Sequence, residues 1–305
     1  MFNVKDFDLK LTFESGQPLA FYGDYEAGQG CEVLSYVTGR GVIRMRCRKS
    51  AAQTRIDYDY IGDYSAESAG EDIRTRLGLG HDMRALYKKI DTDRFMHEAI
   101  LALPGLRMTK SEPWEATLCY VMSQANNIKR IRGIVRRLVD SFGEERKDGS
   151  ECARLFPTSE AISRASVREL MACGTGFRAK YIKSVAKEFA DSSDFPELYD
   201  LDYTSAKAEL TKQYGIGGKV ADCILLFGYG KLEAFPVDTW IKRIVEHAYF
   251  GGRRKSVSEI HAFAEGKWGP YAGYAQQYLF WHGRTLGVGK KRLKNAKRAR
   301  ILTLN

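Results

Sequence analysis

Paired cysteines are missing from this chain. Its cysteines are Cys31, Cys47, Cys119, Cys152, Cys173 and Cys223, with no C-x-x-C among them. Neither a zinc site nor a disulfide framework is indicated. No cysteine follows Cys223, which speaks against a cysteine-ligated iron–sulfur cluster at the C-terminal end. Long apolar runs are missing too: nothing nears the ~18 residues a membrane span needs. The opening MFNVKDFDLKLTFESG alternates apolar and polar residues and lacks the apolar block of a signal peptide. These absences predict an intracellular protein with free thiols in a reducing compartment. Acids are the minority charge, 38 Asp and Glu against 48 Lys and Arg, leaving a formal charge of +10. That excess favours a polyanionic partner, nucleic acid before a membrane surface. The alternative is a merely soluble basic protein. Hydrophobic residues at 44% and aromatics at 12% of 305 residues are enough for a packed core.

Two textures divide the chain. In residues 1–92 the segments FDLKLTF, CEVLSYVTGRGVIRMRCRK and QTRIDYDYI read as strands, the second with a Gly-bearing turn. They predict an antiparallel sheet with one solvated face. From about Asp93 the period becomes helical, and residues 93–305 read as roughly ten short helices. DRFMHEAILAL is one helix. SEPWEATLCYVMSQA is another, with Ser111 expected as its N-cap and Pro113 in its first turn. Ser166 with Glu169, and Ser256 with Glu259, have capping-box spacing. The basic run GKKRLKNAKRAR at 289–300 is either a solvated tail or a phosphate-contacting segment.

The stretch GIGGKVADC, Gly215 to Cys223, holds the densest chemistry. Around it, about residues 205–228, the chain reads helix, tight turn, helix. Turn glycines allow positive φ and leave amides uncovered, and amides at a helix start can hold a phosphate. A dinucleotide-binding turn would follow a hydrophobic strand, whereas AKAELTKQY is an amphipathic helix. The choice is therefore between a plain helical corner and a helix-hairpin-helix that grips a nucleic-acid backbone. Lys219 sits in the first turn, where a cation has the wrong sign for the helix dipole. The positive helix end and partial burial both favour a neutral, nucleophilic amine. Nineteen residues on, Asp238 in FPVDTWIKR opens a helix. It is either an N-cap or a carboxylate that orients the amine and stabilises positive charge on a sugar.

With this pair the sequence resembles the helix-hairpin-helix DNA glycosylases with a Gly/Pro-rich loop and closing aspartate, and the lysine places it with the bifunctional glycosylase/lyases. Four more stretches, in order, are similar to the 8-oxoguanine DNA glycosylases: SGQPLAF (Ser15 to Phe21), SQANNIKRI, GFRAKY and GYAQQYLF. The resemblance covers almost the whole chain. It implies an α+β fold, an N-terminal antiparallel sheet followed by a two-lobed helical domain. It implies a monomer that acts on duplex DNA containing 8-oxoguanine, with no membrane partner, in the cytoplasm or nucleoid of a prokaryote or the nucleus of a eukaryote. It implies no cofactor, beyond a monovalent cation such as Na⁺ or K⁺ on the hairpin carbonyls.

The same resemblance assigns roles. Lys219 would attack the sugar C1′ and form a Schiff base, and Asp238 would be the essential carboxylate. Gly16 would offer its carbonyl to the N7–H that 8-oxoguanine has and guanine lacks, a mismatch worth about 1–3 kcal/mol. Gln276 would read the Watson–Crick edge, with Phe280 and Cys223 on either face of the base. Asn126, Asn127, Arg130 and Arg178 would hold the opposite cytosine and the gap, with Phe177 as wedge and Gly215 and Gly217 on phosphate. From the residues alone, Phe280 reads as core and Cys223 as an inert buried thiol. Gln276 with Gln277 reads as a surface pair, Arg178 with Lys180 as a solvated face, and Gly16 as a turn residue.

The chain departs from the family in places. Phe21 comes two residues late. Ala125 stands where the animal enzymes carry the first of three asparagines. Trp240 replaces a histidine and Phe177 a tyrosine wedge. These changes predict weaker discrimination of the opposite base. Two alternatives remain: a glycosylase for other damaged bases on the same fold, and a non-catalytic helix-hairpin-helix clamp on DNA.

Overall fold

The fold was analysed in a computed structural model, which describes residues 1–149, 151–191 and 198–288. The basic run 289–300 lies outside the described residues.

Five strands form the N-terminal sheet: β1 (Phe2–Val4), β2 (Gly23–Gly28), β3 (Cys31–Val37), β4 (Gly41–Lys49) and β5 (Thr54–Gly62). Their order is β1-β5-β4-β3-β2, antiparallel throughout. Alternation sets the faces. In β4, Ile43, Met45 and Cys47 are buried while Arg44 and Arg48 are exposed. Arg46 and Arg48 pair with Asp59 and Asp57 at 2.6 and 2.8 Å on the outer face. Such exposed pairs contribute little.

The strand expected at FDLKLTF is instead helix α1 (Leu9–Glu14), followed by α2 (Leu19–Tyr22). The Asp8 carboxylate accepts from the Leu11 amide at 2.7 Å, an N-cap that decides an otherwise ambiguous apolar pattern. Strand structure in residues 1–92 also ends at Gly62. Helices α3 (Ala66–Arg76) and α4 (Met83–Ile90) follow, and α3 packs on β5.

The helical part begins with α5 (Arg94–Ala102), α6 (Pro113–Ser123) and α7 (Ile128–Phe142). In α6 every residue from Glu115 to Met122 is buried, as befits a central helix apolar almost all round. Its N-cap is Glu112, without a side-chain cap bond, and not Ser111. The Ser111 hydroxyl is buried against Tyr22 Oη at 2.7 Å. A short hairpin that the sequence reading missed, β6 (Glu145–Asp148) with β7 (Glu151–Arg154), precedes α8 (Ser159–Arg164), α9 (Val167–Ala172) and α10 (Ala179–Asp191). Its strands are polar and lack β-branched residues, so neither period shows. Both expected capping boxes form, at Ser166–Glu169 and Ser256–Glu259.

Five further helices build the site: the first hairpin helix (Tyr203–Thr211), the lysine helix (Gly218–Ile224), the aspartate helix (Thr239–Phe250), a bracing helix (Val257–Trp268) and the pocket helix (Ala272–Thr285). Among the described residues no helix is long and apolar enough to cross a membrane.

Candidate active site

The hairpin turn is built by its glycines. Gly215 has φ +93, and a Cβ there would lie 2.5 Å from Tyr181 Cβ, so both the backbone and the packing require glycine. Gly217 is the N-cap of the lysine helix and supplies no side-chain cap. Gly217 and Gly218 are exposed. Their amides therefore face outward at the positive end of the helix, free of side-chain cover. Tyr214, 60% exposed, and Phe177, 57% exposed, flank this turn. Tyr181 lies between them in edge contacts, 4.9 Å from Tyr214 and 6.0 Å from Phe177.

Beside the hairpin opens a cleft of about 430 Å³ whose wall includes Lys219, Asp238, Cys223, Gly16, Gln276 and Phe280. Residues more than 250 positions apart in the chain meet there (16 and 276, difference 260). Asn126, Asn127 and Trp240 also line it. Arg130, Phe177, Arg178, Gly215 and Gly217 do not.

Lys219 is half-buried, and its Nζ donates to Ser123 Oγ at 3.3 Å and lies 5.4 Å above the Tyr120 ring. Asp238 is an N-cap, as one reading expected: Oδ1 accepts from the Trp240 and Ile241 amides at 2.9 and 2.7 Å. Oδ2 has no hydrogen bond among the described residues, so one carboxylate serves as cap and site residue together. Burial pushes the Cys223 thiol up to about 11, although Lys219 pulls the other way. Cys223 is therefore a neutral thiol at physiological pH, a soft wall and not a nucleophile.

Gln276 and Gln277 are not a surface pair; both are buried. Gln277 Nε2 donates to the Ser15 carbonyl at 3.0 Å, which anchors the loop before Gly16. Gln17 braces the loop from the other side, donating to Arg107 O at 2.8 Å and accepting from the Thr109 amide at 2.6 Å. Gly16 has φ +85, and a Cβ there would lie 3.2 Å from Ile128 Cδ1 and 3.6 Å from Phe280 Cε1. Gln276 Oε1, by contrast, is buried with no partner among the described residues. An orphaned buried acceptor is costly, and in a cleft wall it marks a place for a ligand donor. Phe280 is not closed core: it lines the cleft beneath Arg284, whose guanidinium carbon sits 5.1 Å above its ring and 5.6 Å above that of Trp240. The sequence reading missed Arg284, although its spacing four residues after Phe280 on one helix was the available signal. Ser123 and Tyr120 gave no signal, since they sit in a helix that reads as core.

Arg178 is placed differently from both expectations. It is neither on a solvated face nor free in the gap, but buried. Its guanidinium donates to the carbonyls of Gln124, Ala125 (2.9 Å) and Thr175 (3.2 Å). Burial first, then the charge of exposed Arg130, lower its pKa. The loop it grips contains Ala125 at φ +46, a conformation unfavourable to alanine. Asn126 Nδ2 donates to Met122 O at 3.0 Å, and Asn127 caps α7 by accepting from the Arg130 amide at 3.0 Å. Among the described residues no cluster of His, Cys, Asp or Glu could hold a metal ion.

A hairpin with outward amides, an amine and a carboxylate in one cleft define a DNA-backbone-binding enzyme site. The comparisons with known proteins give the particular family. Residues 118–270 match the HhH-GPD superfamily base excision DNA repair protein. The N-glycosylase/DNA lyase of Saccharomyces cerevisiae is 32% identical across 91% of this chain and 84% of its own. The probable N-glycosylase/DNA lyase of Methanothermobacter thermautotrophicus is 29% identical across 93% of this chain and 96% of its own. In three dimensions the chain is similar to the Clostridium acetobutylicum 8-oxoguanine glycosylase/lyase in complex with DNA containing cytosine opposite 8-oxoguanine. The TM-score is 0.82 and the identity 25%, over 93% of this chain and 94% of that one. This chain belongs to the HhH-GPD superfamily of base excision DNA repair proteins.

Proposed function

We infer that this chain is a bifunctional DNA glycosylase and abasic-site lyase that removes 8-oxoguanine from duplex DNA. The observation that carries the reading is the single cleft holding Lys219, Asp238, Gly16, Gln276, Phe280 and Cys223. The yeast and archaeal relatives, named as glycosylase/lyases, and the clostridial neighbour support the substrate.

A base inside a duplex is out of reach, so the damaged nucleotide is extruded into the cleft. Its ring lies between Phe280 and Cys223. The Gly16 carbonyl accepts from N7–H, and Gln276 Oε1 accepts from the Watson–Crick edge. The Lys219 amine then forms a bond to C1′ while the bond to the base breaks and the base leaves with a proton. Asp238 Oδ2 faces the positive charge that develops on the sugar. The sugar opens to a Schiff base, C2′ loses a proton and the C3′–O bond breaks, cutting the strand. Arg284 in the cleft works against a cationic alkylated base, which favours a neutral oxidised purine.

The amides at Gly215 and Gly217 anchor phosphate, Phe177 enters the stack, and Asn126, Asn127 and Arg130 face the opposite strand. Arg178 acts on the opposite cytosine mainly by holding the Gln124–Ala125 loop. A monovalent cation on hairpin carbonyls belongs to the same reading. The Gly215 and Gln213 carbonyls each accept one hydrogen bond, from Gln124 Nε2 and the Ile216 amide, which leaves a lone pair on each. The enzyme acts as a monomer, wherever the cell keeps its DNA.

Borohydride trapping tests the chemistry. The wild type becomes covalently joined to an 8-oxoguanine duplex and Lys219→Gln does not; trapping of the variant at wild-type level would remove Lys219 from its role. With Ala125 in place of an amide, cleavage rates opposite C, A, G and T are expected to be similar. A strong cytosine bias would contradict that part.

A further inference from the structure

One turn beyond Lys219 lies a fully buried carboxylate that the reaction as described does not use. Asp222 is 0% exposed. Its Oδ1 accepts from Tyr203 Oη at 2.6 Å and pairs with Lys207 Nζ at 2.7 Å, both on the first hairpin helix. Its Oδ2 makes no hydrogen bond among the described residues, and His261 Nε2 lies 3.3 Å from it. The same His261 Nε2 lies 3.1 Å from the carbonyl of Phe235. Phe235 is three residues before Asp238 in the chain.

We propose that Asp222 and His261 are positioning residues that hold the helix carrying Lys219 in register with the segment carrying Asp238. This rests on the proposed roles of Lys219 and Asp238. The two groups come from different elements, separated by a π-helical stretch (Leu225–Tyr229) and a left-handed Gly230. Backbone continuity alone sets their separation loosely, whereas reacting groups misplaced by about an ångström lose on the order of a hundredfold in rate. The imidazole closes the gap from a third element. It reaches from the bracing helix, donates to the Phe235 carbonyl and rests against the Asp222 carboxylate. Lys207 and Tyr203 hold the other oxygen of that carboxylate and tie the same point to the DNA-gripping hairpin. The buried charge is compensated by Lys207, so the cluster can form without His261. The imidazole is then the part that links amine to carboxylate.

The test compares His261→Leu with His261→Gln in the full chain, well below the melting midpoint of each. The readouts are single-turnover strand cleavage of an abasic-site duplex and affinity for that duplex. His261→Leu is expected to slow cleavage about tenfold with affinity within about twofold of wild type. His261→Gln, whose amide can still donate to Phe235 O, is expected to recover the rate to within about threefold. The proposal is overturned if the leucine variant cleaves at the wild-type rate, if its loss appears in affinity instead of rate, or if both variants are equally slow. An abasic-site duplex needs the lysine but not the base pocket. Wild-type failure on 8-oxoguanine alone would therefore refute the substrate reading and leave the His261 comparison intact.

Discussion

Helix α6 carries a polar centre at each end, and the two are built on opposite plans. Near its start, Glu115 takes two hydrogen bonds from Arg76, at 2.5 and 3.1 Å, and another from Tyr22. Arg76 also pairs with Asp72 at 2.9 Å. Burial pushes the Glu115 carboxyl up and the Arg76 guanidinium opposes it. Each of these charges has a partner within the cluster. At the other end, Ser123 meets Lys219 at the cleft, where Gln276 Oε1 stands without a protein partner among the described residues and Asp238 lines the same wall. A closed polar cluster joins the sheet domain to the helices. An open one beside a void is where substrate groups complete the hydrogen bonding.

The contrast can be broken from the closed side with the largest effect. Arg76→Leu leaves Glu115 buried and unpaired, and should cost about 3–5 kcal/mol of stability in urea unfolding. Its single-turnover rate at low temperature should stay near wild type. The double change Arg76→Met with Glu115→Leu should recover part of that stability, because the buried Glu115 charge is gone while Asp72 still lacks its cation. A large rate loss in a folded Arg76→Leu protein would show that the two centres are coupled.

From the open side, Asp238→Asn should lower single-turnover excision about 10²–10³-fold. Stability should change by no more than about 0.5 kcal/mol, since asparagine caps a helix as well as aspartate. Equal loss of rate and stability would mean that the carboxylate serves the fold alone. The smallest effect is expected at Ala125. Ala125→Asn suits the left-handed backbone better, a gain of about 0.5 kcal/mol, and restores an amide beside the opposite base. It should shift the rate ratio about fivefold toward cytosine, the worth of one hydrogen bond. An unchanged ratio would remove this position from opposite-base selection.

Legibility followed the range of the interactions. The hairpin was readable because Gly215 and Gly217 announce a turn and the flanking residues keep a helical period. Asp238 was readable as a cap because capping acts over three residues. Strand β4 was readable from strict alternation, while α1 was misread because FDLKLTF fits both periods and a single Asp8 cap decides. Arg178 looks like any surface arginine in GFRAKY. Only the fold brings the Gln124 and Ala125 carbonyls to it. Gln276 and Gln277 are chemically identical neighbours, and successive helix positions point about a hundred degrees apart. One side chain therefore braces Ser15 and the other is left open in the cleft.

The sequence by itself determined the local pieces: the glycine turn, the amine in the first turn after it, the capped aspartate, the pleated strands and, through resemblance, the family. Turn dihedrals, caps and side-chain period depend on neighbours a few residues away. The tertiary structure alone decided which buried polar groups are satisfied and which stay open. It brought the Gly16 loop, the end of α6, the lysine helix and the pocket helix around one cleft, and placed His261 between Asp222 and the approach to Asp238. Hydrogen-bond satisfaction in a core depends on partners distant in the chain, and only packing brings them within reach.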